Sequence, residues 1–150
     1  MSIAQTATTS FKVQLLQAVH NFGPASPNTF KVALYSAAAN LGSATTVYTT
    51  TDEVPNGSGY TTGGNTLVIS VSPTSGNNTA SVPTAFISFS NTSWTNATFT
   101  ARGALIYNDS VAGDPSVAVL DFGADKTVTN DTFQIIFPTA DANSAIVRIS

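Results

Sequence analysis

Residues 28–64 read NTFKVALYSAAANLGSATTVYTTTDEVPNGSGYTTGG. At the start the apolar period is two: Phe30, Val32 and Leu34 fall to one side and Lys31, Ala33 and Tyr35 to the other, the pattern of a β-strand. After Tyr35 the alternation stops and the chain runs into Ala, Thr, Ser and Gly, with Asp52 and Glu53 as its only charges. A slack linker has no use for Tyr48, Glu53 and Tyr60 among its glycines, because large aromatic and acidic side chains are kept where they pack or pair. Gly57, Gly59, Gly63 and Gly64 suit tight turns that need positive φ. We therefore read 36–64 as a long ordered excursion on the surface of a β-domain, built to be covered by another chain.

The same period recurs on the C-terminal side. Strand candidates are TVYTT (46–50), NTLVISV (65–71), AFISFS (85–90), FTARGALIY (99–107), SVAVLDF (116–122), TFQIIF (132–137) and AIVRI (145–149). Turn signals such as NGSG, TTGGN, SPTSGNN, NDSVAGDP and GADK separate them. On the N-terminal side Ser10 is placed to cap a helix over 11–22, where Phe11, Leu15, Val19 and Phe22 form one stripe until Gly23 and Pro24 stop it. The expected architecture is all-β. It is a single β-sandwich or barrel-like domain of about eight antiparallel strands over 29–150, in a single-domain chain 1–150 that opens with an N-terminal arm (1–10) and the short helix.

Composition narrows the function classes. Charged residues make up 9%, against about 25% in an ordinary soluble domain, so the surface is built from Ser, Thr, Asn and Gly. Such a surface suits a secreted or virion protein, or a subunit largely covered on assembly, since burying a hydroxyl costs less than burying a charge. The net charge is −3 and the five basic residues, Lys12, Lys31, Arg102, Lys126 and Arg148, are scattered; this argues against nucleic acid as a partner. No apolar run approaches the ~20 residues that span a bilayer, and MSIAQTATTS has neither the basic nor the apolar region of a signal peptide, so no membrane partner and synthesis in the cytosol are expected. Cysteine is absent, which removes disulfides, thiolate metal sites and a Cys nucleophile.

Catalytic patterns are sparse. His20 is the only histidine, with no local Ser or acid arranged as a dyad, and a packing or hydrogen-bonding role near a helix end is the better reading. Most of the eight acids fall at turns, where Asp caps backbone N–H groups; Asp52 and Glu53 would be the first suspects for a glycosidase-like pair, without an accompanying Trp and acid cluster. Asp121 and Asp125 in DFGADK have too few oxygens for calcium, and a strand-exit turn beside Lys126 is preferred. The sequence thus calls for no catalytic residue, no metal and no cofactor. Tyr48, Glu53, Tyr60, Trp94 and Arg102 are the candidate interface residues, Trp94 as a core or rim anchor and Arg102 on a polar sheet face.

Taken together, SFKVQLLQAVHNF, NTFKVALYSAAANLGSATTVYTTTDEV, GSGYTTGG, TARGALIYN, AVLDFGADK and FQIIFPTADANSAIVRI resemble a family of small virion structural proteins of tailed bacteriophages, from about Ser10 to Ile149. The resemblance implies a capsid cement (decoration) protein on the capsid exterior, made in the host cytoplasm, that clamps neighbouring major capsid protein subunits and forms a homo-oligomer. It supplies no catalytic residues. The alternative it leaves is a tail or head fibre module that binds host-surface glycan through Tyr48, Tyr60 or Trp94. The polar N-terminal segment is expected to reach out as an arm on the capsid, and 36–64 to form a second contact.

Overall fold

The computed structural model describes residues 1–150. In chain order the elements are β1 (Thr6–Ala7), α1 (Thr9–Leu16), β2 (Phe30–Tyr35), β3 (Asn65–Leu67), β4 (Ile69–Asn77), β5 (Pro83–Phe89), β6 (Thr92–Asn108), β7 (Ser116–Ile135) and β8 (Val147–Ile149). They form two antiparallel sheets, one of five strands in the order β1-β7-β6-β2-β3 and one of three in the order β4-β5-β8. The domain is all-β and sandwich-like, not a closed barrel.

The helix is shorter than the stripe predicts. Thr8, not Ser10, caps it, accepting a hydrogen bond from Phe11 N at 3.3 Å. It ends because Ala18 adopts φ 57°, with Ala18 N donating to Leu15 O and Val19 N to Gln14 O, a Schellman closure. The stripe survives without helical geometry: His20 and Phe22 fold back so that their rings lie 5.0 and 6.1 Å from that of Phe11, and Phe22 stacks on Phe30 at 4.3 Å.

The strand set also differs from the expectation. SVAVLDF and the first four residues of TFQIIF are parts of one 20-residue strand, β7, which pairs along its length with the 17-residue β6. GADK lies inside that ladder, not at a strand exit: Gly103 pairs with Asp121 and Ala101 with Lys126, so Phe122–Asp125 bulge out opposite Arg102 alone. SPTSGNN likewise belongs to β4 up to Asn77, and the register of that strand shifts twice before it regularises. NTLVISV divides at Val68 between the two sheets, and TVYTT forms only an isolated bridge between Val47 and Pro115.

Strand β2 is buried on both faces, which explains its composition. Phe30, Val32 and Leu34 enter the main core with Phe89, Trp94, Ile106, Val117 and Phe137, between the two sheets. Ala33 and Tyr35 join Leu105, Tyr107 and Val119 in a second apolar cluster on the other face, closed by Ile3, Ala39 and Leu41. The excursion is therefore itself a covering layer: 36–48 lies over the outer face of its own sheet. The N-terminal segment does not form the expected arm. Leu41 N donates to Ser2 O, Ala4 N to Leu41 O, and Thr6 and Ala7 pair with Val119 and Ala118, so residues 2–7 are sewn onto the domain instead of extending from it.

Candidate functional site

All four tyrosines of the chain and its one glutamate meet where the excursion is fastened to the sheet. Strand β2 delivers Tyr35, β6 delivers Tyr107, and the excursion supplies Tyr48, Glu53 and Tyr60. Glu53 is placed by a bridge to Tyr35 and by Val54 N donating to Leu34 O, which continue the ladder of β2 past the end of β3. Its carboxylate accepts three hydrogen bonds: Oε1 from the Tyr60 hydroxyl at 2.6 Å and from Gly63 N at 2.7 Å, and Oε2 from the Tyr48 hydroxyl at 2.6 Å. The Tyr60 oxygen in turn accepts from Leu34 N at 2.9 Å. The Tyr107 hydroxyl donates to Gly63 O at 2.8 Å, the Tyr35 hydroxyl to Thr49 O, and the Tyr48 ring stacks on Tyr107 at 4.5 Å.

This arrangement suits anchoring better than proton transfer. Burial raises the pKa of all four phenols, and for Tyr48 and Tyr60 the hydrogen bond to Glu53 raises it further, so each stays a donor at neutral pH. Both carboxylate oxygens are engaged, and a charge-assisted bond is worth about 1.5–3 kcal/mol, roughly twice a neutral one. The turn at 61–64 admits no side chain at one point: a Cβ on Gly64, where φ is 71°, would stand 1.8 Å from Val32 O. That contact places Gly63 N against the carboxylate.

Of the five residues expected at an interface, three meet here and two stand apart. Trp94 lies on the core side, its ring 6.0 Å from that of Tyr60, and its indole N–H has no hydrogen-bond partner. Arg102 sits on β6 beside Asp121, Nε to Oδ1 3.4 Å, half-buried. Tyr60, Trp94 and Glu53 are 2%, 4% and 9% exposed: Trp94 takes the core option of its expected role, while the picture of Tyr60 and Glu53 as surface contacts is corrected, because their hydrogen-bonding partners are in their own chain. Tyr48 and Arg102 keep part of their surface open.

The other chemical suspects are tied up locally. His20 is buried, with Nε2 2.9 Å from Gln14 Oε1 and Nδ1 3.1 Å from Asn108 Nδ2, and burial pushes its pKa down to about 4. These partners fix the neutral tautomer with the proton on Nε2. Asp121 Oδ1 accepts from Gly123 N at 2.9 Å, which, with Arg102, holds the carboxyl below the usual range. No three His or acidic side chains converge. Comparison with protein-family models, with curated proteins and with solved structures finds no match. Sequence reasoning singled out Glu53 and both excursion tyrosines but missed Tyr35, Tyr107 and Gly63 as their partners. The signal available was the restriction of every tyrosine to two strands and the excursion between them.

Proposed function

We propose that the protein is a structural virion component that binds the assembled phage capsid and stabilises it by clamping neighbouring major capsid subunits. The observation that carries this reading is the fastened cover at 36–54: a plate whose only charges are Asp52 and the buried Glu53, held in place before any partner arrives. Its outer surface presents Ala37, Ala38, Ser43, Ala44 and the 45%-exposed Val47. A preorganised surface of small side chains loses little conformational entropy on contact and desolvates few charges, and repetition over a lattice turns a modest interface into firm attachment. The resemblance of the motifs from Ser10 to Ile149 to phage virion proteins points the same way.

The test is co-sedimentation of the protein with undecorated capsids, followed by thermal disruption of the particles. Saturable binding at a lattice-defined ratio with a raised disruption temperature is expected, and Val47→Asp should weaken it about tenfold while leaving the free protein's stability within about 0.5 kcal/mol. Failure to bind shells, together with retention on host cells, would overturn the proposal in favour of a glycan-binding fibre module.

A further inference from the structure

Beyond Val119, which pairs with Thr6 of β1, the outer edge of β7 has no neighbour: through Ile135 its backbone hydrogen bonds run to β6 or to side chains. Bare edges of this length are rare in monomers, which cover them or keep them short. The other free edges here are short, as in β3 and β8, chargeless and irregular, as in β4, or approached by the excursion, as in the 92–102 stretch of β6, where Thr98 N donates to Ser58 O and Gly59 lies against Ala97. Beside the β7 edge runs an open trough of about 580 Å³ lined by Phe122, Val128, Phe133 and Ile135. Lys126 and Asp131 stand exposed on it, and neither belongs to either of the molecule's two ion pairs.

The register makes this edge self-complementary. Lys126, Val128 and Asp131 lie opposite Ala101, Phe99 and Ala97, which are evenly spaced by two on β6. The bulge at Thr129 and Asn130, where Asn130 has φ 47°, absorbs the extra residue. Lys126 and Asp131 consequently share one face at equal distance on either side of Val128. A two-fold axis perpendicular to the sheet at Val128 would set Val128 against its copy, and Lys126 of each strand against Asp131 of the other, twice. Opposite charges directly across an antiparallel pair stabilise it, and like charges are absent from this register.

We infer that the β7 edge pairs antiparallel with the same edge of a second copy, centred on Val128, to make a two-fold dimer with one continuous sheet. The inference concerns the free protein and does not rest on capsid attachment. Sedimentation velocity over a concentration series, with hydrogen exchange on the same samples, tests it. A reversible dimer is expected, with amides in 126–131 exchanging more slowly as it forms. Lys126→Glu or Asp131→Lys alone should raise the dimer Kd about tenfold or more, and the double swap K126E/D131K should return it to within about threefold of the original. All the altered side chains are exposed, so folding is unaffected. A protein that stays monomeric at every concentration, a dimer indifferent to the single reversals, or one that leaves 126–131 unprotected would overturn the pairing.

Discussion

The Tyr60 hydroxyl donates to Glu53 Oε1 at 2.6 Å and at the same time accepts from Leu34 N, so one phenol ties the excursion to the backbone of β2. Removing it leaves two buried groups short of a partner. Tyr60→Phe should cost about 2 kcal/mol, measured by urea denaturation. Glu53→Gln presents an amide N–H₂ to one of three donors and should cost about the same. The two changes together should cost clearly less than their sum, because they break one network.

Gly64 is the most closely hemmed of the glycines. An alanine there brings Cβ to 1.8 Å from Val32 O on a backbone with φ 71°. Gly64→Ala should destabilise by more than about 3 kcal/mol and show first as loss of soluble protein. Gly57→Ala, also at positive φ (110°) but with open space around the new methyl, isolates the conformational part and should cost about 1 kcal/mol.

Ala18 carries the reverse error. It occupies the left-handed position of the helix closure, normally glycine's. Ala18→Gly should raise stability by about 0.5–1 kcal/mol, seen as a higher denaturation midpoint at unchanged slope.

His20 makes stability depend on mild acid. Its folded pKa, about 4, lies below the ordinary 6.5, so the unfolded chain binds the proton first. Its contribution is complete above pH 6.5 and is lost as pH falls from there towards 4, by an amount on the order of 2 kcal/mol. His20→Gln should flatten the pH dependence of unfolding between pH 6.5 and 5.

Much of the fold is legible in alternation. The two faces of β2 are read correctly from FKVALY because each inward side chain meets a different apolar layer. The direction of the cover is not legible, because Ala39 and Leu41 sit in no period and Ile3 is a single apolar residue in a polar segment. The long β7 was hidden by its own bulges: Gly123 and Asn130 carry turn chemistry inside a ladder that closes around them. The helix end is not legible because the closing residue is alanine, where glycine would mark it. At the site, the excursion's half of the Glu53 cluster could be picked out by residue type, while the sheet's half depended on the register of β2 against β6.

The cover also fixes an order of events as the chain is made. Ile3, Ala39 and Leu41 leave the ribosome early, but two of the three strands they lie on, β6 and β7, are synthesised late, after β3, β4 and β5. Until the β6–β7 hairpin forms and β2 docks beside it, the N-terminal third has nothing to close over. Folding must therefore wait for nearly the whole chain, and the rate-limiting step is expected to be the capture of an early-made segment by a late-made hairpin.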